Sequence, residues 1–229
     1  MKLSIVIPAR NEEANIENMA SLLLKNFSRQ IERLIIVNDC STDSSNEILE
    51  TLKKTNKKIF PIHRRTNPGV GNALKAGYEA VSKKPGYVLS LDCDFTKNIK
   101  DIKKMIKLAS KTDADVVLGS RYMKGGKLLG YPTFKKIANR CFHVLARVLL
   151  GFRQVDVTNN FKLMKKEVLK DILPMLSGKG FSVNAETGIY PILLGYDVIE
   201  SPVSWISRSE DMGKSSFKVI NAGPGYIDI

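Results

Sequence analysis

The chain has 229 residues, 43% of them hydrophobic, and carries 36 Lys and Arg against 23 Asp and Glu, a net charge of +13. That length supports one large α/β domain or two small ones, and no stretch approaches the ~20 apolar residues of a membrane span, so an integral membrane protein is not expected. The basic balance calls for an anionic partner: nucleic acid, a membrane surface or a phosphorylated substrate.

Leu3–Ile7 is β-branched and reads as a strand stopped by Pro8. Asn11-Glu12-Glu13 open a helical pattern with Ile16, Met19, Ala20, Leu23 and Leu24 inward. Leu34–Val37 is a second strand ending in the turn and cap cluster Asn38–Asp43, and Ser44–Lys54 a second helix. Ile59–His63 is a short third strand, followed by the tight loop Asn67–Asn72 and a helix through Ala73, Leu74, Gly77, Tyr78 and Val81. Tyr87–Leu91 is a buried central strand that ends in Asp92-Cys93-Asp94; Ile99–Leu108 is a lysine-rich helix and Ala114–Leu118 a fifth strand. Such alternation predicts a mostly parallel sheet with right-handed crossovers, whose polar strand-end loops share one edge.

Beyond Tyr122 the pattern changes. Lys124–Lys127 reads as a flexible basic loop. Pro132–Leu150 reads as a helix with an apolar stripe (Phe134, Ile137, Ala138, Cys141, Leu145, Val148, Leu149) among Lys135, Lys136, Arg140, Arg147 and Arg153. A basic amphipathic helix lies readily on an anionic bilayer; the same pattern also fits a stripe packed on the sheet beneath a solvated charged face. A strand at Asn160–Met164, helices near Lys166–Leu173 and Glu186–Leu194, and a strand at Asp197–Trp205 complete the expected domain. Cys40, Cys93 and Cys141 are far apart and form no C-x-x-C, and Met1–Pro8 is too short an apolar run for a leader. A reducing, cytoplasmic setting is therefore expected, without a disulfide framework or zinc.

The chemistry concentrates at the central strand. If extended geometry continues through Cys93, Asp92 and Asp94 point the same way, and two hard oxygen donors make half a site for Mg²⁺ or Mn²⁺. Two Asp after a strand also serve as turn formers or a helix N-cap.

Several blocks in order, Ile5–Glu13, Val37–Asp43, Asn67–Ala73 and Asp92–Asp94, resemble family 2 glycosyltransferases of the GT-A fold. Gly119–Tyr122, Asp156–Lys162, and Arg208 followed by Gly213–Ser215 are similar to the dolichol-phosphate mannose synthase branch. The resemblance covers about Leu3 to Phe217. It implies one GT-A domain over 1–229, with a nucleotide-sugar-binding half at 1–122 and an acceptor-binding half at 123–229 that includes the amphipathic helix 132–150.

The site follows residue by residue. Pro8, Arg10 and Glu12 would line the nucleotide pocket, and Val37 and Asp39 would meet base and ribose. Asp92, Asp94 and Thr96 would hold Mg²⁺ or Mn²⁺, with Cys93 between the two acids. Arg121, Arg208 and Lys214 would hold the diphosphate or acceptor phosphate. The implied reaction is an inverting displacement from a nucleotide diphosphate sugar, GDP-mannose or a UDP-hexose, to a polyprenyl phosphate at the cytoplasmic face of a membrane. Such an acceptor is already an anion and needs no general base. A hydroxyl acceptor would need one, for which Asp156 and Glu186 are the candidates, each fitting a cap or ion-pair role as well.

This chain departs from the branch at Arg10, Cys93 and Thr96, the last a weaker metal ligand than the side-chain carbonyl often found there. The Gln-x-x-Arg-Trp of processive synthases is absent, and no helix-turn-helix, zinc-finger or RNA-binding motif supports nucleic acid as partner. A nucleotidyltransferase remains a rival reading, although Pro8–Glu12 is not the Gly-rich loop such enzymes carry.

Overall fold

A computed structural model describes residues 1–206. In chain order the first half gives β1 (Leu3–Ala9), α1 (Glu13–Phe27), β2 (Ile31–Asp39), α2 (Ser45–Thr55), β3 (Ile59–Arg64), α3 (Val70–Glu79), β4 (Tyr87–Ser90), α4 (Ile99–Thr112) and β5 (Val116–Ser120). The second half adds β6 (Lys127–Leu129), α5 (Thr133–Leu150), β7 (Lys162–Lys165), α6 (Lys166–Ile172), α7 (Val183–Leu193), β8 (Val198–Pro202) and β9 (Ser204–Ile206).

The main sheet runs β3-β2-β1-β4-β7-β5-β8. All its pairings are parallel except those of β7, which runs antiparallel to both β4 and β5. Strand residues alternate between two apolar layers, as a sheet covered on both faces requires. Ile5, Ile7, Leu34 and Ile36 face α1, α2 and α4. Val6, Ile35 and Val37 face the layer that holds α3, α6 and α7.

Several expectations are corrected. Pro8 does not stop β1: it pairs with Val37, and β4 has already left β1 at Val6, so the missing N–H is not needed there. The basic loop at Lys124–Lys127 runs into β6, which pairs with β9 in a second, two-stranded sheet. The strand expected at Asp197–Trp205 is two strands, β8 in the main sheet and β9 in the small one. Extended geometry does not carry through Cys93. The chain turns there, Asp94 has φ −88° and ψ 3°, and Phe95 N–H donates to the Asp92 carbonyl at 3.2 Å. Cys93 is buried in the core while Asp92 and Asp94 are half-exposed, so a turn, not the strand alternation, sends the acids outward.

The stripe of α5 does not pack on the sheet. Only His143 and Ala146 of that helix are buried; Phe134, Ile137, Val144, Leu145, Val148 and Leu149 are exposed, Val148 by 77%.

Cys40 adopts φ 56°, in the left-handed region that costs a non-glycine residue about 1–2 kcal/mol. Cys40→Gly removes that strain against glycine's extra unfolded-state entropy. The expected net gain is about 0.5 kcal/mol, read as a rise of roughly 1–2 °C in Tm.

Candidate active site

Because β1 to β4 are parallel, their C-terminal loops meet at one edge, and side chains lock them together. Asn11 N–H donates to Ser41 Oγ at 2.9 Å, while Thr42 N–H donates to Asn11 Oδ1 at 2.8 Å. Glu12 N–H reaches Ser45 Oγ, and Glu13 and Asp43 exchange bonds with the main chain of each other's loop. Pro8 is half-buried, Arg10 exposed and Glu12 buried, with Glu12 Oε2 accepting from Asn15 Nδ2. Val37 is fully buried in the core, so only its main chain reaches the edge.

Asp39 ends β2 and is 3% exposed. Its Oδ1 pairs with Arg64, and its Oδ2 accepts from Gly69 N–H at 2.6 Å. It therefore ties the β3–α3 loop to β2. A carboxylate has about four acceptor positions, so a ribose hydroxyl can still share it.

Beside Asp39 a cleft of about 560 Å³ opens over β2 and β3, lined by Asn38, Cys40, Glu50, His63, Arg64 and Arg65 among others. It does not extend over Asp92, Asp94 or Arg121. His63 sits in a polar chain: Asn38 Nδ2 donates to its Nδ1 at 3.3 Å, and its Nε2 lies 2.9 Å from Glu50. Sequence reading missed His63 and Glu50 here, because their meeting depends on α2 packing back over β3.

Asp92 and Asp94 supply carboxylate oxygens, the donor type that Mg²⁺ and Mn²⁺ take. Among the described residues, no group of three or more His, Cys, Asp and Glu side chains gathers into a closed cage. The donor set thus fits an ion that brings diphosphate and water as its remaining ligands. Thr96 is half-buried in the short 3-10 turn Phe95–Asn98 that follows. Asp92 Oδ1 accepts from Asn160 Nδ2 at 2.8 Å.

Asn160 is there because β7 is antiparallel. Residues 156–161 precede β7 yet reach the edge that the C-terminal ends of β4 and β5 form. This segment also carries Asp156, which is fully buried and takes Arg121 on three donors: the main-chain N–H at 2.9 Å, Nε at 2.8 Å, and Nη2 at 2.8 Å to the other oxygen. Arg121 Nη2 also donates to Thr158 Oγ1 at 3.1 Å. Burial pushes the Asp156 carboxyl up, but the Arg121 charge outweighs it and the net shift is down. Burial likewise pushes Arg121 down, and Asp156 outweighs it, so the guanidinium is held still more firmly charged. The forked pair makes Arg121 a fixed cation at the end of β5, with the Tyr122 and Tyr131 rings 5.6 and 6.0 Å away. Glu186 is equally committed: it accepts from Ser177 N–H at 2.8 Å, the Ser177 hydroxyl, and Ser182 Oγ at 3.0 Å. Both carboxylates considered as bases for a hydroxyl acceptor therefore hold structure.

Gly188 of α7 lets the segment lie close, since a Cβ there would meet the Val157 carbonyl oxygen at 2.2 Å. Lys162 of β7 is fully buried, and its ammonium donates to the Asn159 and Asn184 carbonyls; desolvation pushes its pKa down to about 7.

The same segment ties down α5. Asn139 Nδ2 donates to Thr158 Oγ1 at 2.8 Å, and Arg140 Nη1 to the Val155 carbonyl at 2.9 Å. His143 accepts the Val157 N–H at Nε2 (2.9 Å), so its proton sits on Nδ1 and goes to the Asn139 carbonyl. Desolvation lowers the His143 pKa below its ordinary 6.5, with Asp156 only partly offsetting it. The unfolded chain therefore binds a proton at this residue that the folded chain refuses, and stability is full above about pH 6.5 and falls as pH drops below it. His143→Gln is expected to flatten that part of a Tm-versus-pH profile.

Arg208 and Lys214 lie outside the described residues.

The profile of the family described as "Glycosyl transferase family 2" matches residues 4–173. The chain belongs to this family. It is 25% identical over 233 residues to an undecaprenyl-phosphate mannosyltransferase of Micrococcus luteus, covering 100% of this chain and 93% of that one. It is 24% identical over 216 residues to a polyprenol monophosphomannose synthase of Mycolicibacterium smegmatis, covering 93% and 80%. Both agree with the dolichol-phosphate mannose synthase-like branch that the motifs resemble. Among solved structures, glucosyl-3-phosphoglycerate synthase of Mycobacterium tuberculosis, in complex with Mn²⁺, UDP and phosphoglyceric acid, superposes with a TM-score of 0.69. The identity is 17%, with 99% of this chain and 75% of that one covered. That likeness shows the GT-A fold of this family 2 glycosyltransferase.

Proposed function

We propose that this glycosyltransferase moves a hexose, with inversion, from a nucleotide diphosphate sugar (GDP-mannose or a UDP-hexose) to a polyprenyl phosphate at the cytoplasmic face of an anionic membrane. The observation that carries the reading is the exposed apolar face of α5, flanked by Lys135, Lys136, Arg140 and Arg147 and tied by Asn139, Arg140 and His143 to the segment that holds Arg121 and Asp92. No helix of the described residues is long and apolar enough to cross a membrane. A helix of this kind binds at the interface plane instead. Two further facts support the acceptor class: the names of the Micrococcus and Mycolicibacterium relatives, and the commitment of Asp156 and Glu186 to structural bonds. A phosphate acceptor needs no base.

In this reading Asp39 and the interlocked loops at Asn11 and Ser41 seat the nucleoside. Asp92, Asp94 and Thr96 hold a divalent ion, as the Mn²⁺ and UDP complexes of a structural neighbour encourage. When bound, the ion supplies charge neutralisation to the departing diphosphate. Arg121 contributes a second positive charge, already oriented by Asp156, so it need not reorganise as negative charge develops. Arg208 and Lys214 would add contacts to phosphate.

Incubating the enzyme with GDP-mannose or UDP-hexoses, polyprenyl phosphate and Mg²⁺ or Mn²⁺ is expected to release nucleoside diphosphate and a lipid-linked sugar. Product with a sugar hydroxyl acceptor and none with any lipid phosphate would overturn the acceptor class. Release of pyrophosphate would instead make the protein a nucleotidyltransferase. Leu145→Asp combined with Val148→Asp is expected to abolish co-sedimentation with phosphatidylglycerol vesicles while leaving Tm nearly unchanged, because both side chains already face solvent.

A further inference from the structure

Asp92 lies past the end of β4, in irregular chain. Asn160 stands opposite it on a much firmer base. Asn160 is 4% exposed, and its carbonyl accepts the Ser90 hydroxyl at 2.7 Å. The neighbouring Asn159 donates from Nδ2 to the Gly119 carbonyl at 2.8 Å, and its own carbonyl takes the Lys162 ammonium, which also reaches Asn184 at 2.6 Å. The short run before β7 is thus pinned to β4, β5 and α7 together. From that support Asn160 Nδ2 donates to Asp92 Oδ1 at 2.8 Å.

We infer that Asn160 is a positioning residue for the cation site: its amide sets the orientation in which the Asp92 carboxylate takes a divalent metal together with the nucleotide diphosphate. The inference rests on the cation reading given above. Its physical basis is that carboxylates serving as metal ligands hold their aim through hydrogen bonds from the surrounding shell, and loss of such a partner weakens metal binding about 10–100-fold. An amide suits the task. It is a neutral donor, so it fixes the carboxylate without neutralising it and without competing for the cation as Lys or Arg would.

The test is Mn²⁺ binding, read from the spectrum of free Mn²⁺ by electron paramagnetic resonance, alone and with UDP or GDP. Wild type, Asn160→Leu, Asn159→Leu and Asp94→Ala are compared. Leucine matches asparagine in shape but offers no donor, so Asn160→Leu is expected to bind nucleotide-dependent Mn²⁺ about 10–100-fold more weakly. The Mn²⁺ concentration for half-maximal transfer should rise in step, with kcat largely restored at saturating Mn²⁺. Asn159→Leu breaks a bond of the same kind to Gly119 and is expected to lower Tm while leaving Mn²⁺ affinity alone. Should leucine at 160 disturb folding, Asn160→Ser, too short to reach Asp92, provides the same comparison. Wild-type Mn²⁺ affinity in the folded Asn160 variants, with binding lost in Asp94→Ala, overturns the positioning role and leaves the cation reading standing. Wild-type binding in Asp94→Ala would sink the cation reading itself.

Discussion

Asp94→Ala is expected to lower kcat/KM for sugar transfer at least about a thousandfold, roughly 4 kcal/mol of transition-state stabilisation, with a cooperative melt retained. Asp94 begins the 3-10 turn Phe95–Asn98 and is half-exposed, so its loss opens no cavity. In the proposed reading it takes away an oxygen donor to the cation that meets the diphosphate. In-line displacement at a sugar carbon would build negative charge on the leaving oxygen, and an alanine here leaves that charge to be met by Arg121, oriented by Asp156. The measurement is release of nucleoside diphosphate by purified Asp94→Ala across a range of Mg²⁺ and Mn²⁺ concentrations, beside its melting curve. Retained turnover in a folded variant would remove the carboxylates from the mechanism.

Asp156→Ala should have the largest effect on stability. It strips the partner from a buried guanidinium, leaving the Arg121 main-chain N–H and Nε without their acceptor and Nη2 with Thr158 Oγ1 in place of the carboxylate. Removing one member of a buried, hydrogen-bonded pair typically costs about 3–5 kcal/mol. For a chain of this size that is a fall of roughly 6–20 °C in Tm. The pH dependence has a definite sign. The folded-state pKa of Asp156 lies below its ordinary 3.8, so the pair stabilises fully above about that pH, and the benefit disappears as pH falls through the lowered value. The gap between wild type and Asp156→Ala is therefore expected to be constant near neutrality and to close only in strong acid. An unchanged Tm at pH 7 would mean that Arg121 finds solvent or another partner.

Transfer should also suffer in Asp156→Ala, since Arg121 would lose its aim. Arg121→Lys separates the two effects. A lysine keeps the charge but cannot make the forked contact to both Asp156 oxygens, so it should lower kcat more than it lowers Tm.

Much of the first half was readable residue by residue. Alternating strand and helix patterns pointed to a mostly parallel sheet, which β1 to β4 form, because short apolar runs bounded by turn residues and separated by helices leave few other folds. The acids after β4, the Asp closing β2 and the Arg after β5 all stood at strand ends, where open α/β sheets bind ligands. The errors lie where local pattern does not carry the answer. Pro8 reads as a stop, yet it is tolerated where one side of β1 has lost its neighbour. Asp156 and Glu186 read equally as bases or as structural anchors, and only their packed partners decide. His63, Glu50 and Asn38 are separated in the chain and carry no spacing signal for their meeting.

By itself the sequence determined the family, the parallel β/α frame and the edge at which charged residues collect, since periodicity, turn chemistry and strand-end acids are local properties of the chain. Tertiary structure alone decided the direction of β7. A four-residue strand, Lys162–Lys165, reads the same either way, and its antiparallel run is what carries Asp156 and Asn160 to Arg121 and Asp92. It also decided which way α5 turns its stripe, because amphipathic spacing names an apolar face but not the surface that will cover it.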